Sequence, residues 1–161
     1  MVDVVNVVGS AGAQLFIGTK AADPLTDDYV EIGEIVNWPA YGRNYELVTH
    51  NPINNRKTFK LKGSFNDGSV ELTVGRVPSD PGQARLIAAL DDVSRTQGDY
   101  NFKAEVADDA GGSDDTPTTQ YFVAGVFSYT TIFDQVNAVT NAAVRLEING
   151  AITEVAAVDV T

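Results

Sequence analysis

The chain contains no cysteine, and only one histidine, one methionine and one tryptophan among 161 residues. Without cysteine there is no disulfide framework, no thiolate nucleophile and no Cys-based zinc site. With His50 alone, a His-rich metal site is excluded, and a Ser-His-Asp triad would have to pass through that residue. Positive charge is also scarce. Eleven Lys+Arg stand against 22 Asp+Glu, a net charge of -11, so the chain repels nucleic acid unless a local basic patch overrides the sum. No run approaches the roughly 20 apolar residues of a membrane-spanning helix. The first basic residue is Lys20, whereas a secretory signal needs a basic start. The apolar beginning MVDVVNVVGSAGAQLF is therefore expected to open with an ordered or docking arm, residues 1–12.

What is present is enough for one folded domain. Hydrophobic residues make up 43% of the chain, too many for a disordered polymer, and the length suits a single core. Alternation of period two dominates. Phe59, Leu61 and Phe65 alternate with Lys60, Lys62 and Ser64, which predicts a half-buried strand with a lysine-bearing face. Asn66-Asp67-Gly68 follows, and then Val70, Leu72 and Val74 alternate with Glu71 and Thr73. Asp-Gly between two alternating runs predicts a hairpin with Lys60 and Lys62 near Glu71. Further strands are expected at 14–19, at 29–36 with a break at Gly33, at 100–106 and at 143–148. The stretch 121–133 is apolar on both faces, as expected of a strand that lies in a core or runs from the core into a subunit contact.

One helix is predicted over residues 80–96. Asp80 is placed to cap it, Pro81 suits its first position, Gln83 completes a weak capping box, and Leu86, Leu90 and Val93 form a stripe. The stretch 37–55 holds Trp38-Pro39, Tyr41-Gly42 and Asn51-Pro52 and reads as a long loop, with Tyr45 to Val48 able to pair at an edge. The Gly- and Asp-rich tract 108–115 reads as a solvated loop, because it lacks the residue order of a calcium-binding loop. Residues 150–161 form a C-terminal arm. The fold class is mainly β: an antiparallel sandwich or barrel-like domain with one flanking α-helix.

Chemistry finds little support. His50 lies in a loop, there is no G-x-S-x-G, and no two carboxylates are singled out for hydrolysis. No cofactor or metal is called for. Trp38 and Tyr41, in a breaker-rich loop, serve equally well as a small satellite core or as anchors of a protein contact. Charge is unevenly placed. Between Arg43 and Lys62 the basic residues are Arg43, Arg56, Lys57, Lys60 and Lys62 and the only acid is Glu46, so the segment is +4 and the remainder -15. A molecule polarised in this way can set the basic surface of one copy on the acidic surface of the next. The alternative is a monomeric β-sandwich binding module, with Trp38 and Tyr41 as a stacking platform for carbohydrate or a protein ligand.

The order of features resembles the tail tube proteins of long-tailed (siphovirus) bacteriophages and related gene transfer agents. An N-terminal arm leads into strands and a long loop carrying Gly33-Glu34-Ile35-Val36-Asn37-Trp38-Pro39. Arg56-Lys57-Thr58 leads into Phe59-Lys60-Leu61-Lys62-Gly63-Ser64-Phe65-Asn66-Asp67-Gly68, and a single helix and C-terminal strands follow. The resemblance implies a structural virion protein without catalytic function, assembled in the host cytoplasm into the tail. It implies six copies in a ring, rings stacked into a tube, and DNA passing through the lumen without specific binding. The partners it implies are other copies and the tape measure, tail terminator and distal tail proteins. It points to Trp38, Tyr41, Arg43, His50, Arg56 and Lys57 for ring-to-ring contact, and to Glu31, Glu71 and Glu105 as acidic groups facing the lumen.

Overall fold

The computed structural model describes residues 9–94, 98–108 and 116–158. Most of the predicted N-terminal arm, residues 109–115 of the acidic tract, the last two residues of the predicted helix and the end of the C-terminal arm lie outside the described residues.

The architecture is mainly antiparallel β with one helix, as the alternation predicts. The strands are β1 (Gln14–Ile17), β2 (Val30–Glu31), β3 (Ile35–Asn37), β4 (Asn44–His50), β5 (Phe59–Asn66) and β6 (Ser69–Gly75). After α1 (Pro81–Asp91) come β7 (Tyr100–Glu105), β8 (Thr119–Ile132), β9 (Asn141–Ile148) and β10 (Thr153–Val155). A curled eight-stranded sheet runs β2-β1-β7-β8-β9-β6-β3, with β10 continuing along β8 below β9. One face of this sheet is the core. Leu15, Ile17, Phe102, Phe122, Val70, Leu72, Val74, Val144 and Leu146 are all buried there, each at alternate positions of its strand.

The helix closes the core. Asp80 caps it by accepting from the Gln83 N–H at 2.8 Å, and Leu86 and Ala89 are buried against the sheet. Gly82 lets the helix start lie directly on the β2 end, since a Cβ there would sit 2.0 Å from the Glu31 carbonyl oxygen. Two details differ from the sequence reading. Gln83 does not turn back to complete a capping box. Its buried side chain accepts from Val77 N–H at 3.0 Å and the Tyr129 hydroxyl at 3.2 Å, and donates to the carbonyls of Gly75 and Gly33. The helix also ends at Asp91, leaving Val93 exposed beyond it.

The predicted hairpin between β5 and β6 is absent. The turn chemistry is there, with Gly68 at φ +99 and its N–H donating to Asn66 Oδ1 at 2.9 Å, but it makes a corner. β6 pairs with β9 on one side and β3 on the other, while β5 pairs with β4. Glu71 accordingly lies opposite Arg145, away from Lys60 and Lys62. The reason is burial: Val70, Leu72 and Val74 gain the core only by lying between β9 and β3, a choice that a local turn signal does not contain. The predicted long loop at 37–55 is corrected in its middle, where Asn44–His50 is strand β4, and the Tyr45 to Val48 stretch pairs at an edge as the sequence allowed.

Candidate functional site

Strands β4 and β5 form a separate two-stranded sheet, an arm outside the main sheet. Every residue of β4 is exposed, and in β5 only Gly63 is half-buried. The register sets Val48 opposite Leu61 and His50 opposite Phe59, and it sets Leu47 opposite Lys62 and Thr49 opposite Lys60. One face of the arm therefore carries Val48, Phe59 and Leu61, and the other carries Lys60 and Lys62. A register shift between Tyr45 and Leu47 brings Tyr45 and Phe65 together, their rings 5.7 Å apart. The Lys62 ammonium lies 4.7 Å over Tyr45 and the Arg43 guanidinium 4.1 Å over Phe65. The tip exposes Ile53 fully. Such a concentration of exposed apolar side chains marks an interaction surface.

The root of the arm is a narrow latch. Asp67 accepts from Arg43 Nε at 2.6 Å and from the Gly150 N–H at 3.0 Å, which ties β4, the corner after β5 and the turn between β9 and β10. Its hydrogen bond from Arg43, together with the one from Gly150, holds the Asp67 carboxyl below its ordinary range. Gly68 and Gly42 meet backbone to backbone here, and a Cβ on Gly68 would lie 2.6 Å from the Gly42 carbonyl oxygen.

The six residues expected at ring-to-ring contacts do not share one surface. His50, Arg56 and Lys57 are at the far end of the arm and Arg43 is at its root, all exposed. Trp38 and Tyr41 lie on the body, packed against the core. The Trp38 indole lies nearly parallel to the Tyr41 ring at 6.2 Å, and Tyr41 tilts against Phe122 at 5.6 Å. The Tyr41 hydroxyl donates to Gln120, and burial, with the Glu154 charge, raises its pKa. Tyr41 is thus taken up inside the chain rather than left open as a stacking platform. A cleft of about 590 Å³ remains beside Trp38, reaching from Gly9 to Gln120.

The three acidic residues expected to face a channel do share a face. Glu31 lies opposite Phe16, Phe16 opposite Lys103, and Glu105 two residues further along β7. Glu71 lies opposite Arg145, and Glu147 opposite Ser69 and Gly125. All point away from the core, interleaved with cations: Lys103 pairs with Glu105 at 3.0 Å and Arg145 with Glu147 at 2.5 Å.

The residues that sequence reasoning undervalued are Tyr45, Leu47 and Val48, which make half of the arm. Their signal was an apolar stretch facing a second alternating run across the Asn51-Pro52 turn. Strand β8 is buried in its first half and exposed in its second, so its two-sided apolarity is not covered on both faces among the described residues. Phe122 and Ala124 are buried, while Phe127, Ile132 and Phe133 are exposed. Among the described residues no group of three His, Asp or Glu is gathered as for a metal ion.

No protein-family model and no curated protein matches the chain. Solved structures do match. The sheath/tube terminator of the extracellular contractile injection system PVC is 16% identical, with a TM-score of 0.68 over 95% of this chain and 99% of that one. The tube-terminating cap of the anti-feeding prophage is 12% identical, with a TM-score of 0.69 over 97% and 95%. The SPP1 tail tube protein is 16% identical, with a TM-score of 0.65 over 95% and 81%. The fold of this chain is the fold of tail tube and tube-terminator proteins.

Proposed function

We propose that the chain is a structural subunit of a tail tube, in which six copies close into a ring and rings stack around a lumen that conducts DNA. The observation that carries this reading is the β4–β5 arm. On a tube-protein fold, it holds Val48, Phe59 and Leu61 on one face with no core among the described residues to cover them. A neighbouring copy would cover them, and a ring would also remove the open sheet edges that are otherwise an aggregation liability. Head-to-tail stacking is the contact that builds open filaments, and the +4 arm against a -15 remainder favours it. In the assembled tube His50, Arg56 and Lys57 at the arm tip meet the next ring, with Arg43 fixing the arm root. Trp38 and Tyr41 would take part from the body of the subunit, at a separate place from the arm tip.

The work is mechanical, not catalytic. Glu31, Glu71 and Glu105 face the lumen, where carboxylates keep the phosphate backbone from adhering. The protein then belongs to the virion tail, is assembled in the host cytoplasm, and meets tape measure, terminator and distal tail proteins at the ends of the tube. Negative-stain electron microscopy and light scattering of purified protein test the assembly, with rings or tubes expected. A strict monomer at high concentration, even with tail-assembly partners present, would overturn it. Reversing the three glutamates to lysine should leave assembly intact and slow DNA release, and unchanged release would remove the lumen role.

A further inference from the structure

We propose that Asn149–Gly150, in the turn between β9 and β10, is a latent deamidation site that Asp67 and Asp99 hold closed while the chain is folded. The chemistry is internal to one chain and needs no assembly.

Asn149 is the only asparagine in the sequence that is followed by glycine. In such a pair the peptide nitrogen of the glycine can attack the side-chain carbonyl carbon of the asparagine, because glycine has no Cβ to hinder the approach. The nitrogen gives its proton to hydroxide or water and bonds to Cγ. The Cγ–Nδ2 bond then breaks, and ammonia leaves. Water opens the cyclic imide at either carbonyl, giving aspartate or isoaspartate. Water is consumed and ammonia released, with no change of oxidation state. Both residues are exposed, so water reaches them. Space around Gly150 is also open, since nothing lies within 4 Å of a Cβ built there.

Sequence and exposure thus permit the reaction, and the fold withholds its geometry. Ile148 N–H donates to the Gly68 carbonyl at 3.0 Å and Asn149 N–H to the Val123 carbonyl at 2.9 Å. Gly150 N–H donates to Asp67 Oδ2 at 3.0 Å. The Asn149 carboxamide donates from Nδ2 to Asp99 Oδ2 at 3.0 Å. Attack requires that carboxamide to swing over the Gly150 nitrogen, and that nitrogen to shed its proton. Asp99 holds the carboxamide and Asp67 holds the proton. Arg43 fixes the other oxygen of Asp67 at 2.6 Å, so the latch at the arm root also guards the turn. Conversion would undo the junction. An aspartate at 149 sets two carboxylates against each other at the Asp99 contact, which is unfavourable. An isoaspartate adds a carbon to the main chain and moves Gly150 away from Asp67.

The test uses the full chain. Folded protein is incubated at mildly alkaline pH and digested, and the peptide holding residue 149 is read by mass spectrometry for replacement of NH2 by OH. The same protein unfolded in guanidinium chloride supplies the unguarded rate. Folded wild-type protein should keep its amide while the unfolded chain converts, and Asn149→Gln should show no conversion at this position. Asp67→Ala should convert at least roughly threefold faster than folded wild type, because a hydrogen bond to a charged group shifts an equilibrium about tenfold or more and solvent reduces this at an exposed turn. Asp99→Ala should move the rate in the same direction. A folded wild type that converts as fast as the unfolded chain would overturn the inference. So would a folded Asp67→Ala protein that converts no faster than wild type. Should Asp67→Ala fail to fold by circular dichroism, Asp99→Ala decides, and a wild-type rate in that folded variant refutes the guard.

Discussion

Replacing Phe59 and Leu61 together with serine separates the stability of the subunit from the stability of its assembly. Phe59 is 41% exposed and Leu61 59% exposed in the free chain, and neither belongs to the buried core. Their loss should therefore leave the thermal midpoint nearly unchanged, within about 0.5 kcal/mol of the parent, as for substitutions away from a core. In an assembly these side chains become covered. Complete burial of a Leu or Phe contributes about 1.5–3 kcal/mol, and roughly half of that surface is still open here. Each arm contact should thus weaken by about 1.5–3 kcal/mol for the pair. At 1.4 kcal/mol per tenfold this is roughly a 10- to 150-fold loss in association constant. The assay is the critical concentration for assembly by light scattering, with circular dichroism melting as the control. A large drop in melting temperature would show that the arm is part of the subunit core. An unchanged critical concentration would show that its apolar face is not covered by another copy. Either result refutes the reasoning.

Other perturbations test the body of the fold. Gln83→Ala leaves the buried Gly75 carbonyl and the part-buried Val77 N–H without their side-chain partners; at roughly 1–3 kcal/mol for an unpaired buried group, chemical denaturation should show a loss of at least about 1–3 kcal/mol. Gly82→Ala gains about 1 kcal/mol of helix propensity but drives a Cβ into the Glu31 carbonyl, and overpacking of about 1–3 kcal/mol or more should win, lowering the melting temperature. Asp27 is subject to burial, which raises its pKa. Hydrogen bonds from the Thr19 hydroxyl and N–H (both 2.6 Å), Asn101 and the Asp28 N–H outweigh that, so its pKa is lowered on balance. A carboxyl depressed in the folded state stabilises above its unfolded pKa and loses that contribution as pH falls through the folded value. Asp27→Asn should therefore flatten the acid limb of a stability-versus-pH profile below about pH 4, and an unchanged slope would remove Asp27 from the account.

Much of the local structure was legible because it depends on local causes. Alternation at β1, β6, β7 and β9, the Asp80 cap and the break around Gly33 follow from side-chain direction, dihedral preference and capping, all fixed within a few residues. The passage of β8 from a buried half to an exposed half was also readable, from apolar residues on both of its faces. The candidate site was legible only in its charge and composition. The basic segment was visible, but it was divided between a supposed loop and a supposed hairpin.

The sequence by itself determined that this is a cysteine-free, acidic, mainly β domain with one helix and a local excess of positive charge. Those properties are sums and periodicities along the chain. Only the tertiary structure decided that β5 leaves β6 to pair with β4, that Lys60 and Lys62 stand on a free arm, and that Glu31, Glu71 and Glu105 share one face. Pairing partners are chosen by which apolar faces can be buried together, and that competition runs between segments far apart in sequence. β6 wins its place between β9 and β3 because its valines and leucine fill the core. The displaced β5 keeps the same alternation with nothing among the described residues to bury it against.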